Sequence, residues 1–382
     1  MVAEILSGHV VTKGCIKIQD FILEKFSAAK LMDPYLEIIF CEERALELKN
    51  FSDELHGQLK CKDLNYPFEC SPVAMVPIKT MQVLVPIHES ETRVKKILEL
   101  TLDASHNDLL PGDTIGVLPT NSASDIDLVL HAMKLLGNAE TCCSVRLRTD
   151  CLKKSAKVPA YVPNLSTPLE ILRHCLALRV VPKKQFLSAL AICCSDALEH
   201  RFLSCISSKE GAHLYNELIL IQGYTFLDLL RICPTCCPSL SLLLEHLPRL
   251  LPRPYSIACS PLASNEVKII FSMLPERPGV ATQMMESLCE KLEKGNTCSP
   301  SIGIYFRQPN KFRYSLEDAE NDNILIGIGT GVAPFLGFLE HKELLRNEPY
   351  AKCVLGKTWL FTGAKTHISA FGRERFQEYE LK

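Results

Sequence analysis

Residues 323–335 read Asn-Ile-Leu-Ile-Gly-Ile-Gly-Thr-Gly-Val-Ala-Pro-Phe, and this stretch decides the fold of the chain. Its first four residues form an apolar run typical of a buried strand, and a helical pattern begins at Pro334. A glycine-rich turn between a strand and a helix allows the backbone to approach phosphate groups closely. The glycines follow the spacing GxGxG, and a further predicted strand lies at Trp359–Phe361. The pattern predicts the start of an α/β nucleotide-binding domain.

A second motif lies upstream, where residues 253–256 read Arg-Pro-Tyr-Ser on a predicted strand. The planar guanidinium of Arg253 is suited to binding phosphate oxygens. Tyr255 follows two residues later, on the same face of the strand, where its ring can lie against a planar cofactor. Ser256 can donate a hydrogen bond to a ring nitrogen. Alone, the tetrapeptide is more typical of an ordinary loop or edge strand than of a cofactor site.

Between these two motifs, residues 279–282 read Gly-Val-Ala-Thr and precede a predicted helix at Gln283–Leu292. Gly279 permits close backbone approach, and the free amides of a helix N-terminus attract phosphate. In isolation, a plain helix start after Pro278 is the better explanation of these residues. The three motifs in this order predict a flavin site followed by a nicotinamide-nucleotide site.

The rest of the chain predicts a β region interrupted by helices. Apolar and β-branched residues predict strands at Met81–Pro86, Lys96–Leu102, Thr114–Leu118, Tyr255–Ala258, Val267–Met273 and Ile302–Phe306. These strands favour an antiparallel barrel over 72–121 and 247–318. Residues 122–246 instead carry apolar residues at the three- and four-residue spacing of helices. Residues 1–71 read as a leader or linker remnant, with some helical character at Ile22–Ile38, and 319–382 as a partial nucleotide-binding domain.

Composition excludes several classes of protein. The 382 residues are 47% hydrophobic and 23% charged, which is typical of a globular chain, and the net charge of −2 disfavours nucleic acid as a partner. The N-terminus lacks the pattern of a signal peptide, and no apolar run approaches the ~18 residues of a membrane span. We therefore predict a cytosolic protein without membrane contact, whose 18 cysteines stay reduced.

One pair of these cysteines, Cys233 and Cys236, has the spacing CxxC. A zinc site would need two further ligands, and neither a second CxxC nor a His pair occurs at a suitable spacing, so no metal site is predicted. A redox dithiol of the thioredoxin type would follow a strand, whereas helix-like sequence precedes this pair. We interpret the CxxC as a turn between two helices.

Together the motifs resemble those of the diflavin reductases in the ferredoxin–NADP reductase superfamily. The Arg-x-Tyr-Ser, Gly-Val-Ala-Thr and Gly-x-Gly-Thr-Gly-x-Ala-Pro-Phe elements match in order. Residues 181–187 and 240–248 also resemble the methionine synthase reductase branch of that family, and the likeness runs from about residue 72 to 375. It implies an antiparallel β-barrel FAD-binding domain, an inserted α-helical connecting domain over 122–246 and a truncated α/β Rossmann-like NADP-binding domain.

The resemblance also implies roles for matching residues. FAD would be contacted by Arg253, Pro254, Tyr255 and Ser256, and its pyrophosphate would be held by Gly279, Val280, Ala281 and Thr282. NADPH would be received by Gly329, Thr330, Gly331, Pro334 and Phe335. Lys79 would reach the nucleotide phosphate or remain a solvated lysine. Hydride would pass from nicotinamide C4 to flavin N5 through positioning, with Ser256 as the local catalytic participant.

In the family, electrons then pass through FMN to the cobalamin of methionine synthase, which the resemblance implies as the partner. Several features depart from the family pattern. Ile328 replaces a proline, Ala364 stands where a cysteine is usual, and neither an FMN domain nor the C-terminal part of the NADP domain is in the sequence. FMN would therefore come from a separate domain or protein. Two other interpretations stay open: a non-catalytic flavin- or partner-binding form, and a single-flavin reductase of another acceptor.

Overall fold

An antiparallel sheet of six strands lies at the centre of the computed structural model. The structure describes residues 16–41, 73–86, 95–104, 108–274, 278–293, 299–309, 311–346, 354–364 and 370–380. The strands of this sheet are β2 (Ala74–Val85), β3 (Lys96–Leu102), β4 (Thr114–Val117), β6 (Arg253–Ser256), β7 (Val267–Met273) and β8 (Ser301–Phe306). Their order is β6-β4-β8-β2-β3-β7, and every neighbouring pair is antiparallel. The predicted antiparallel sheet is thereby confirmed.

The two outer strands of this sheet touch each other. Ile257, which follows β6, forms an antiparallel bridge with Ile269 of β7. The N–H of Ala258 donates to the carbonyl of Lys268 at 2.8 Å. The sheet therefore curls around its own apolar core, to which helix α8 (Val280–Glu293) contributes Met285 and Cys289. Closing the sheet in this way satisfies edge groups that would otherwise be open to pairing with other chains.

A second hydrophobic core belongs to the helices between β4 and β6. They are α1 (Ala123–Ala132), α2 (Pro168–Glu170), α3 (Lys184–Ile192), α4 (Ala197–Ser207), α5 (Ala212–Tyr215), α6 (Phe226–Ile232) and α7 (Leu240–His246), and α2 and α5 continue as π-helical turns at Ile171–Cys175 and Asn216–Ile221. Five of these helices begin with a side-chain cap, in which a side-chain oxygen accepts a hydrogen bond from a backbone N–H. The capping residues are Ser122, Thr167, Asp196, Thr225 and Ser239. The Asp196 cap begins α4 four residues after α3 ends.

Residues 16–41 pack against this helical core. The predicted helical character of Ile22–Ile38 is wrong, because the only helical segment among residues 16–41 is a short 3-10 turn at Ile18–Phe21. Strand β1 (Leu36–Phe40) instead pairs antiparallel with β5 (Cys143–Leu147), a strand inside the block predicted as helical. Cross-strand pairing supports the β-branched residues of this segment better than a helix would. The remainder of the predicted leader, 1–15 and 42–72, lies outside the described residues.

The C-terminal elements surround the glycine-rich turn. Strand β9 (Asn323–Ile328) pairs in parallel with β10 (Thr358–Gly363), as the α/β pattern predicts. The helices here are α9 (Leu316–Glu320), α10 (Ala333–Leu345) and α11 (Arg373–Glu380). Helix α10 lies directly on the backbone after β6, since a Cβ on Gly337 would be 3.0 Å from the Cys259 nitrogen. Arg375 of α11 donates to the Glu99 carboxylate of β3 at 2.7 Å and ties the C-terminal helix to the sheet.

One face of the β9–β10 pair is exposed. Ile324, Ile326 and Ile328 are 68%, 69% and 78% accessible. Trp359 and Phe361 stand beside Ile324 and Ile326 in the parallel register and are also exposed. Parallel strands are usually covered on both faces, so this apolar surface is unusual for such a pair. No helix in the described parts of the chain is long and apolar enough to cross a membrane.

The turn before β4 requires glycine. Gly112 has φ +92°, and a Cβ at this position would collide with the carbonyl oxygen of Phe312. We expect Gly112→Ala to lower the free energy of unfolding by about 1–3 kcal/mol, measured by urea denaturation. Gly137→Ala is the matched control, because nothing lies within 4 Å of its Cβ position. Equal stability of the two variants would contradict this account of the turn.

Candidate functional site

Strands β4 and β6 arrange the predicted flavin residues in a line. Their register pairs Arg253 with Val117, Pro254 with Gly116, Tyr255 with Ile115 and Ser256 with Thr114. Arg253 and Pro254 are exposed, whereas Tyr255 and Ser256 are half-buried. The line has two distinct ends, because the chain that follows β4 beyond Val117 meets α8 and the chain beyond Ser256 meets α10.

At the first end, a cation and a helix N-terminus lie at the same end of β4. The Arg253 side chain is exposed, and its Nη1 donates to the Leu251 carbonyl at 2.6 Å. Arg253 pairs with Val117 of β4, and Thr120 lies three residues beyond Val117. The Thr120 N–H contacts the sulfur of Met284 in α8 at 3.3 Å. Positive charge from a guanidinium and from unpaired helix amides makes this end suited to phosphate groups.

The N-terminus of α8 is held by the helical unit, the block of helices between β4 and β6. Nη1 of Arg179 donates to the Pro278 carbonyl at 3.0 Å, and its Nε pairs with Asp125 Oδ2 at 2.7 Å. Gly279 is exposed, and the Thr282 hydroxyl donates to its carbonyl at 3.0 Å. Neither Arg179 nor Asp125 stands out in the sequence, because 99 residues separate Arg179 from Pro278 and no local pattern marks their contact. They are positioning residues for the Gly-Val-Ala-Thr segment.

The middle of the line is occupied by an aromatic side chain. The ring of Tyr255 contacts that of Phe271 edge to face, with centroids 6.1 Å apart. Burial raises the pKa of the Tyr255 phenol to about 12, so the hydroxyl stays neutral at physiological pH. Tyr255 therefore presents a neutral ring that is fixed on one edge and half-exposed.

The second end of the line continues into contacts with α10. The Ser260 hydroxyl lies 2.9 Å from His341 Nδ1, and the Ser260 N–H donates to Glu340 Oε2 at 2.6 Å. The ring of Phe312, which follows β8, packs on Phe335 and Phe338 of the same helix. The helix that follows the glycine-rich turn thus contacts the continuation of the strand that carries Ser256.

The glycine-rich turn itself is open toward solvent. Gly329 has φ +55°, and nothing lies within 4 Å of a Cβ built on Gly329 or Gly331. Thr330 between them is half-exposed. Pro334 and Phe335 are buried instead, and Phe335 packs among aromatic side chains. The exposed backbone of the turn, rather than the side chains of Pro334 and Phe335, is available to a ligand.

Lys79 of β2 is engaged with two carboxylates. Its ammonium lies 3.0 Å from Glu266 Oε1 and 3.4 Å from Asp103 Oδ1. The hydrogen bond to Glu266 is the main cause of a raised pKa for the Lys79 ammonium. A role for Lys79 toward a nucleotide phosphate stays a prediction, and these contacts would compete with it.

Sequence comparison assigns this chain to a known protein family. Residues 66–277 match the family described as FAD binding domain, and the chain belongs to that family. It is 37% identical over 319 residues to methionine synthase reductase of Mus musculus and 35% identical over 316 residues to that of Homo sapiens. These alignments cover 76% and 77% of this chain but 46% and 44% of the relatives. The chain thus matches less than half of their length.

Among solved structures, ferredoxin-NADP+ reductase from Plasmodium falciparum aligns with 81% of this chain and 66% of its own. The TM-score is 0.36 and the sequence identity is 12%.

The Arg179–Asp125 pair provides a test of how the site is held. The Asp125 side chain is 6% exposed and that of Arg179 25% exposed. We expect Asp125→Ala to lower the free energy of unfolding by about 3 kcal/mol, because removing one partner leaves a poorly solvated charge. Asp150→Ala removes the partner of Arg148 in an exposed pair and is the control, with no measurable change in the urea midpoint expected. A similar small effect for Asp125→Ala would contradict the positioning role.

Proposed function

We propose that this chain is the FAD- and NADPH-binding part of a methionine synthase reductase-like flavoprotein, an NADPH-dependent oxidoreductase. The observation that carries the proposal is the order of features along β6. The exposed cation of Arg253 lies at one end, the aromatic ring of Tyr255 follows, and the helix of an open glycine-rich turn lies beyond Ser256. This order matches a flavin nucleotide whose ring faces a nicotinamide nucleotide.

The residues present fit the chemistry of FAD. The pyrophosphate would be held by Arg253 and by the amides of Gly279, Val280, Ala281 and Thr282 at the start of α8. Gly279 is exposed, which leaves its backbone accessible to phosphate oxygens. Pro254 and Tyr255 would cover part of the flavin, and the neutral phenol of Tyr255 adds no charge beside the ring.

The fit for NADPH rests on the glycine-rich turn. Gly329, Thr330 and Gly331 offer backbone that no side chain blocks. Bound NADPH would supply a hydride from its nicotinamide, and bound FAD would be the acceptor. The chain's contribution is to bring the two rings together, with Ser256 donating a hydrogen bond on the flavin side.

The architecture supports the same proposal. The closed six-stranded sheet corresponds to the FAD-binding barrel over 72–121 and 247–318, and the helical unit over 122–246 to a connecting domain. Residues 319–382 correspond to part of a Rossmann-like NADP-binding domain. Electrons would leave through FMN on another domain or protein and reach methionine synthase. We include a cytosolic location in the proposal, because the 18 cysteines of the sequence would stay reduced in that compartment.

FAD binding is tested with one arginine variant. We expect the purified chain to bind FAD, measured by flavin absorption after dialysis and by fluorescence titration. Arg253→Ala should weaken the affinity roughly 10- to 100-fold, which corresponds to one charged hydrogen-bonding group. Arg148→Ala should leave it unchanged, since Arg148 pairs with Asp150 in the helical unit. Equal affinities of the two variants would remove Arg253 from the site, and no flavin binding in any variant would overturn the proposal.

Hydride transfer is tested by anaerobic addition of NADPH to the FAD-bound chain. Bleaching of the flavin band is the expected result. Gly331→Val should keep FAD but require an NADPH concentration about 10-fold higher or more, because the new side chain stands where the nucleotide approaches. Gly137→Val, at another position with open space, should bleach like the unmodified chain. Bound flavin that NADPH does not bleach would support the non-catalytic, flavin-binding alternative instead.

A further inference from the structure

Three cysteines from separate parts of the helical unit converge at one point. Cys194 follows α3, Cys233 ends α6, and Cys236 lies in the turn that leads to α7, where the CxxC connects two helices as predicted. Cys194 and Cys236 form an isolated antiparallel bridge. All three thiols are free in the structure. No group of His, Cys, Asp or Glu within the described ranges is arranged to hold a metal ion, so the cluster calls for a different explanation.

The backbone geometry of the Cys194–Cys236 pair suits a disulfide. The Cys237 N–H donates to the Cys193 carbonyl at 2.9 Å, so the hydrogen bond flanks the pair instead of joining its two members. In a pair of this kind the Cα atoms lie about 4.5 Å apart. That separation falls within the roughly 4.4–6.8 Å that disulfides span. No backbone movement is needed to bring the two residues into bonding range.

The two sulfur atoms also point the same way. Sγ of Cys194 and Sγ of Cys236 each lie 3.5 Å from the same carbonyl oxygen, that of Leu190. Cys194 is half-buried and reachable from solvent, whereas Cys233 and Cys236 are buried. An accessible thiol beside a buried partner is the usual arrangement of a redox-sensitive pair, in which the first reacts and the second resolves.

The surroundings favour Cys194 as the attacking group. Hydrogen bonds from the thiols of Cys233 and Cys236 lower the pKa of Cys194, and His200 adds to this, while burial and Asp196 oppose it. The same hydrogen bonds raise the pKa of Cys233 and Cys236, which therefore stay protonated. The thiolate, not the thiol, is the nucleophile in exchange reactions.

A cavity of about 590 Å³ lies next to the cluster. Its lining includes Ser195, Thr235 and Cys236, together with His131 and Lys134 near the end of α1. Of the three clustered cysteines, Cys236 is part of this lining, and Cys194 adjoins it through its neighbour Ser195. The ammonium of Lys134 gives the lining a positive charge. Its size is that of a small-molecule site, and its charge favours an anionic ligand.

We propose that Cys194 and Cys236 form a reversible redox dithiol that reacts with small anionic disulfides approaching the pair from the adjoining cavity. Cys194 attacks one sulfur of the disulfide, a mixed disulfide forms, and one thiolate leaves. The Cys236 sulfur then attacks Cys194, its proton passes to the second leaving thiolate, and a Cys194–Cys236 bond closes. Two protein thiols are oxidised and one small disulfide is reduced to two thiols. In a reducing compartment such a bond would be transient.

The experiment uses oxidised glutathione as the probe on the full chain. After incubation at defined ratios of oxidised to reduced glutathione, free thiols are alkylated and peptides are mapped by mass spectrometry without reduction. We expect a Cys194–Cys236 cross-linked peptide that forms at least ~10-fold faster than any modification of Cys151, a half-buried cysteine outside the cluster. Excess reduced glutathione should reverse it.

Two variants identify the roles of the sulfurs. In the double variant Cys233→Ser/Cys236→Ser, the mixed disulfide with glutathione should persist on Cys194, because no resolving thiol remains. Cys151→Ser should form the cross-link at the unmodified rate. The proposal is overturned if the unmodified chain cross-links other cysteines, or if Cys194 is modified no faster than Cys151. Circular dichroism establishes that each variant is folded, and the mapping of the unmodified chain does not depend on them.

Discussion

The short run of backbone from Ser256 to Ser260 holds the functional elements together. Its N–H groups donate to three separate parts of the chain: that of Ile257 to Asp113 before β4, that of Ala258 to β7, and that of Ser260 to Glu340 of α10. One segment therefore closes the sheet and seats the helix of the glycine-rich turn. Because β6 leads directly into it, the positions of Arg253 and Tyr255 relative to that turn follow from these few hydrogen bonds.

Local patterns were sufficient for much of this arrangement. Apolar strands such as Lys96–Leu102 and the turn after Asn323–Ile326 are visible in the sequence because burial and glycine spacing act over a few residues. The three motifs were recognised by their order along the chain, and the structure adds that the segment after β6 contacts the helix that follows the glycine-rich turn.

Contacts between distant segments could not be read from the sequence. Strand β1 pairs with β5 across most of the first third of the chain, and neither strand has a strong pattern of its own. Arg179 reaches Pro278 from a different structural unit. The CxxC was correctly interpreted as a turn between two helices. The third thiol of the cluster belongs to Cys194, which follows α3 and lies far from the CxxC in the sequence. Such features arise from packing, which no local periodicity encodes.

The apolar face of β9 and β10 has a spectroscopic consequence. Trp359 stands on that face, 46% accessible, and it is the single tryptophan of the chain. Indole emission moves to shorter wavelength when water is removed from the ring, and no second indole is present to mask the change. The intrinsic fluorescence of this protein would therefore report directly when another molecule or segment covers the apolar face of Ile324 and Ile326.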